Sequence, residues 1–236
     1  MSIMSLLSTQ DCADLRLARR SLDFGRVGIS FLCEDADPVS IGILSYHGVS
    51  FAYDIQSMTQ VKAAQYIFCS ADMGDVRSAV HFDLGPAVDK GGAIPAIAMA
   101  LMQLGEVLGR SFRAKAVLWT PASILSGFEY FAEAVTQYSH GSAFPALICV
   151  QFDTTDQSKV ETHGLKWLCG QELEFKHAPM PTPDAMRYMV RLVHDLATQG
   201  AISREIEVPG MQSGETILLT PNAHNDIVIA ELFMSE

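Results

Sequence analysis

Cysteine is scarce in this 236-residue chain, and its five cysteines, Cys12, Cys33, Cys69, Cys149 and Cys169, are odd in number, widely spaced and without a Cys-x-x-Cys pair. That pattern argues against a disulfide framework and a thiolate zinc site, and it fits reduced thiols in a cytoplasmic protein. Long apolar runs are missing too. The most apolar window, AIPAIAMALMQLGEVLG, is broken by Gln103 and Glu106 and falls short of the roughly 20 residues that a membrane span needs. The opening MSIMSLLSTQDCADLRLARR places no basic residue before its short apolar stretch, so it does not read as an export leader.

Positive charge is in deficit: 16 Lys and Arg stand against 27 Asp and Glu, a formal net charge of -11. Such a field repels a phosphate backbone, so no nucleic-acid partner is expected. The imbalance sits in the second half, where residues 121–236 carry six basic and fifteen acidic side chains. Arg16, Arg19, Arg20 and Arg26 form one local basic group, without interleaved aromatic residues to stack on bases.

Catalytic and cofactor signatures are absent as well. No Gly-x-Ser-x-Gly, Gly-x-Gly-x-x-Gly or Gly-Lys-Ser/Thr occurs. The seven histidines make no His-x-His and no His-x-x-x-His, so no metal and no cofactor are assigned. Ser123 and Ser126 lie at a strand-to-helix passage but lack the elbow glycines, and Ser126 reads as a cap for a helix beginning near Phe128.

What is present is 49% hydrophobic residues in short, well-punctuated runs, which calls for a packed core. A helix over DCADLRLARRSL is followed by strand-like runs at 27–33, 39–44, 49–55 and 63–70, and the segment 71–77 marks the expected boundary. Residues 1–75 thus form a β-rich opening that either extends the main sheet or stands as a small subdomain, and residues 76–236 form an α+β domain.

In that second part Val80, Phe82 and Leu84 alternate with His81 and Asp83, as in a strand. Ile94, Ile97, Ala98, Leu101, Leu104, Gly105 and Leu108 share one helical arc, with Gly105 expected where a strand approaches closely. A strand at 114–120, a helix at 128–139 and a central strand at 144–152 follow. The run 165–175 reads as a short helix or strand leading into an edge strand after Gly170. Thr182, Pro183 and Asp184 announce a helix capped by Thr182, with Met186, Met189, Val190, Val193, Leu196 and Ala197 inward and Gly200 at its end. Strands at 215–221 and 226–233 close the chain as a hairpin. The fold class is α+β, with a mainly antiparallel sheet, two or three helices on one face and a ferredoxin-like sub-pattern in the later part.

Acid–base chemistry requires a histidine held near a carboxylate. The candidate catalytic residues are His81 and Asp83 on one strand face, His163 in the loop after the central strand near Asp153 and Asp156, and His224 beside Asp226 in the hairpin.

The run from GGAIPAIAMALMQLGEVLG through AVLWTPASILSGFEYFAEAV and PALICVQF to THGLKWLCGQELEF and MRYMVRLVHDLATQG resembles the bacterial domain of unknown function 4261 family, over about residues 78–235. Trp119, Gly164, Leu165, Gly170, Glu172, Leu173 and Glu174 carry the likeness. The resemblance implies no activity, cofactor or catalytic residue. The first functional expectation is therefore a non-catalytic cytoplasmic binding or regulatory protein, working through a protein partner or through self-association as a homodimer. A small hydrolase using the His/Asp groups and an immunity-type partner protein, suited to a basic target by its acidic second half, are the alternatives.

Overall fold

The computed structural model describes residues 28–33, 41–57, 63–69, 76–85, 91–156 and 158–234. The expected helix over DCADLRLARRSL, the four early arginines, Cys12 and most of the 71–77 segment lie outside them. The chain divides into two units: residues 1–92 with 96–142, and residues 93–95 with 143–236.

Unit 1 is built on a seven-stranded sheet. Its strands are β1 (Gly28–Cys33), β2 (Ile41–Tyr46), β3 (Val49–Ser57), β4 (Gln65–Ile67), β5 (Ser78–Leu84), β6 (Ala116–Trp119) and β7 (Ile124–Gly127). The spatial order is β2-β3-β5-β1-β6-β7-β4, and every pairing is antiparallel except β4 with β7. The strands of the β-rich opening therefore share one sheet with 78–127. β5 lies between β3 and β1, which is why Val80, Phe82 and Leu84 and also Ala79 and Asp83 are buried.

Two helices, α1 (Pro95–Ser111) and α2 (Phe128–Ser139), lie on one face of this sheet. A Cβ on Gly105 would come within 3.0 Å of the Ile29 and Phe31 side chains and 3.3 Å of Phe131, so the bare glycine lets α1 settle onto β1 and against α2. Ile94, expected on the inward arc, precedes the helix and is 51% exposed. Ser126 does not cap α2. It belongs to β7, is buried, and Gly127 is the N-cap.

Unit 2 holds α3 (Ala146–Cys149), β8 (Gln151–Asp153), β9 (Lys159–His163), α4 (Leu165–Cys169), β10 (Glu172–Lys176), α5 (Thr182–Gln199), β11 (Ile206–Pro209), β12 (Glu215–Pro221) and β13 (Ile227–Met234). Its six-stranded sheet runs β11-β12-β13-β10-β9-β8, with only the β10–β13 pair parallel. Both units together give the α+β class, with largely antiparallel sheets.

Three expectations fail here for physical reasons. The central strand at 144–152 is a short helix followed by β8 at the sheet edge. Phe144 donates its N–H to His194 Nδ1 at 2.9 Å, Pro145 sits at the N-cap, and Ala146, Ile148 and Cys149 are buried. A continuous apolar run has no period to separate strand from helix, and here Leu147 is apolar yet exposed. The GQELEF strand is interior, flanked by β9 and β13, because its alternating charges face one side while Leu173 and Phe175 fill the core. Helix α5 takes Pro181 as its N-cap, and Thr182 makes no capping bond. Its buried face is Ala185, Tyr188, Met189, Leu192, Val193, Leu196 and Ala197, turned slightly from the expected arc so that Ala185, Tyr188 and Leu192 take the place of Met186 and Val190, with Tyr188 stacked on Phe175 at 5.7 Å. Gly200 ends it, as expected, and Arg191 reaches Asp195 one turn on at 3.8 Å.

Candidate functional site

The end of α1, the start of β6 and the first turns of α2 enclose, with Phe68, a groove of about 1230 Å³ in unit 1. Its walls include Arg110, Arg113 and Lys115 and the carboxylates of Glu129 and Glu133, with Phe68, Phe128 and Tyr130 between them. The Arg110 guanidinium lies 5.9 Å from the centre of the Phe128 ring and pairs with Glu106 at 3.2 Å. Glu106 also accepts from Thr136 Oγ1 at 2.9 Å, which ties the two helices together beneath the groove.

Two lining residues are held in backbone conformations that side chains other than glycine resist. Helix α1 ends in a turn in which Ala114 N–H donates to Gly109 O at 2.8 Å and Arg113 N–H donates to Arg110 O at 3.2 Å. The left-handed position of this turn usually falls to glycine, but here it is Arg113, at φ 51°. Phe68 follows β4 with φ 48° and is 79% exposed, its ring 4.6 Å from that of Tyr130. Gly127 opposite has no Cβ because one would overlap the Phe68 carbonyl oxygen. Strain of this kind costs about 1–3 kcal/mol per residue and persists only where the surroundings impose it.

A second polar group lies on the β1–β5 pair. The register sets Ser30 opposite His81, and Ser30 Oγ is 2.8 Å from His81 Nδ1. His81 Nε2 lies 3.9 Å from Asp83 Oδ2, and Asp54 of β3 is paired with His81 across the next ladder. Burial pushes the Asp83 carboxyl up to about 7. Near neutral pH it is thus divided between acid and carboxylate, which suits a buried proton store better than a permanent partner for imidazolium. β1 is laddered on both sides, so its amides are spent on β5 and β6 rather than left to receive an oxyanion.

The other two candidate histidines belong to unit 2. His163 is exposed at the end of β9, its Nε2 3.9 Å from Asp153 Oδ2. Asp153 is held below the usual range by accepting the Thr155 N–H, and Asp156 by accepting the Ser158 hydroxyl and N–H, as in a solvated turn. His224 lies in the β12–β13 turn beside Asp226, which is held low by the Asn222 amide and by Lys166 at 3.1 Å. The four candidates are thus divided, His81 and Asp83 in one unit and His163 and His224 in the other.

The residues that carried the family likeness in unit 2 form a structural latch. Glu172 accepts from Gly164 N at 2.8 Å, Leu165 N at 3.2 Å and Thr162 Oγ1 at 2.7 Å, anchoring the start of α4. Lys159 donates to Glu161 and Glu174 at 2.8 and 3.0 Å, and these two bonds raise its pKa. Gln171, wholly buried, donates to Ile202 O and Asn225 Oδ1 and accepts from Ile202 N. Trp119 is buried at the end of β6.

Sequence reasoning missed Ser30, Phe68 and Arg113. Ser30 becomes visible only when β1 and β5 are set in register. The helix-ending turn at 110–114 carries no glycine at the position where the geometry needs one, so no local signal marked it. Among the described residues no group of three or more His, Cys, Asp or Glu could hold a metal, and no helix is long and apolar enough to cross a membrane. No family model, curated protein or solved structure matches the chain.

Proposed function

We propose that this chain is a non-catalytic binding protein of the cytoplasm and that the groove of unit 1 is its working surface. One observation carries the reading: Phe68 and Arg113, both bulky and both at positive φ, line the same groove with largely exposed side chains. Glycine would relieve the backbone at either place, and the core gains little from the side chains that stand there. Exposed aromatic and arginine side chains around a concavity are what recognition uses. The Ser30, His81 and Asp83 group has a structural rather than a catalytic part in this reading, with its amides in ladders and its carboxyl partly protonated. Among the described residues Cys33, Cys69, Cys149 and Cys169 carry thiols not joined in disulfides, in keeping with a reducing compartment. Membership of the domain of unknown function 4261 family belongs to the same proposal, supported by the way its motif residues Gly164 and Leu165 meet on Glu172.

The test is site-specific photo-crosslinking in cells, with a benzophenone side chain at Glu129 in the groove and, as control, at Ser139 on the far end of α2. Adducts are expected at Glu129, absent at Ser139, and lost when Arg113→Gly is added. Equal labelling at the two positions, or labelling indifferent to Arg113→Gly, would remove the groove from the account.

A further inference from the structure

We infer that the occupant of the groove is a second copy of this chain, each copy inserting Phe68 into the groove of the other. The inference rests on the groove being the working surface and adds what fills it. Arg110, Arg113 and Lys115 stand in one concavity with Glu129 and Glu133. An acidic foreign segment would meet the two glutamates, and a basic one would meet the three cations. A copy related by a two-fold axis meets neither difficulty, because such an interface sets each residue of one patch against a different residue of the same patch. In this arrangement Arg113 of one copy is set against Glu133 of the other, and the two-fold axis repeats that pair. Elsewhere the net charge of -11 repels a like molecule, so this charge-mixed groove is a place where two copies can approach.

Shape agrees with charge. Phe68 is at once part of the groove wall and 79% exposed, so it is a knob standing beside its own hole. Two-fold exchange places each Phe68 ring against the partly exposed Tyr130 ring of the other copy, above a floor made by the buried Phe128, where aromatic edges and faces pack well. Tyr66 of the edge strand β4, 40% exposed, lies two residues away and extends the contact.

Sedimentation velocity of the full chain, from about 1 to 100 µM, tests this directly. The wild type is expected to dimerise, and Phe68→Gly to weaken the dimer at least tenfold. Arg113→Glu and Glu133→Arg are each expected to be monomeric, because each sets like charges against one another at both symmetry-related contacts. Mixed in equal amounts, they are expected to form a heterodimer, since each new charge then faces its opposite. A wild type that stays monomeric at the highest concentration overturns the second copy as occupant and leaves the groove to the crosslinking test. A dimer unaffected by all three substitutions overturns the inference by placing self-association elsewhere.

Discussion

Asp83 lies 6% exposed on the central strand β5, between Gly28 of β1 and Ala52 of β3 in register, with His81 Nε2 at 3.9 Å. Burial moves its carboxyl from 3.8 up to about 7. Each unit is about 1.4 kcal/mol, so keeping Asp83 ionised in the folded state costs at most about 4 kcal/mol. Because the folded value is the higher one, the folded state holds a proton that the unfolded chain releases between about pH 4 and 7. Stability therefore falls as pH rises through that window and levels off above it. Asp83→Asn keeps the shape and cannot ionise. It should match the wild type near pH 4 and exceed it by about 2–4 kcal/mol near pH 8.5. Urea unfolding followed by fluorescence in a Trp167→Phe background, where Trp119 alone reports on unit 1, measures the difference. An Asp83→Asn protein less stable than the wild type near pH 8.5 would mean that the carboxylate is ionised and paired with His81, and the reasoning would be refuted.

Gly127→Ala should be destabilising by more than about 1 kcal/mol, because the new methyl meets the rigid carbonyl of Phe68 and must push β4 off β7; urea unfolding read at Trp119 gives the loss. Gln171→Ala should cost about 3 kcal/mol, since it removes a fully buried side chain and strands the Ile202 amide and the Asn225 side chain. Fluorescence of Trp167 in a Trp119→Phe background reads that transition in unit 2.

The sequence made the elements legible where periodicity and turn chemistry agreed. The strand at β5, the helix at 128–139 and the closing hairpin all fall as expected, because each alternates or repeats cleanly between polar breaks. It misled where a continuous apolar run carried no period, as at 146–149, where Leu147 is apolar yet exposed. It also misled where charge implied an edge, because in β10 Glu172 and Glu174 are bound by Thr162, Lys159 and the start of α4 rather than set against neighbours. The site was less legible still. His81 and Asp83 could be placed on one face from spacing alone, yet Ser30 joined them only through the register of β1, 51 residues away in sequence. Two of the groove's lining residues matter for their backbone conformation, and composition has no letter for a positive φ at Phe68 or Arg113.

Phe68 and Arg113 are proposed to serve recognition rather than folding, and replacing each by glycine separates the two roles. Relief of left-handed strain is worth about 1–2 kcal/mol, the added freedom of the unfolded chain takes back about 0.5–1, and for Phe68 the lost contact with Tyr130 takes another 0.5–1.5 or so. Arg113→Gly should therefore be as stable as the wild type or up to about 1 kcal/mol more so, and Phe68→Gly nearly unchanged. The measurement to make is urea unfolding of both variants beside their crosslinking yield from Glu129. Stability held or raised with the yield cut at least tenfold is the predicted result. Stability lowered by more than about 2 kcal/mol with the yield intact would show that both side chains serve the fold, and would contradict the central claim.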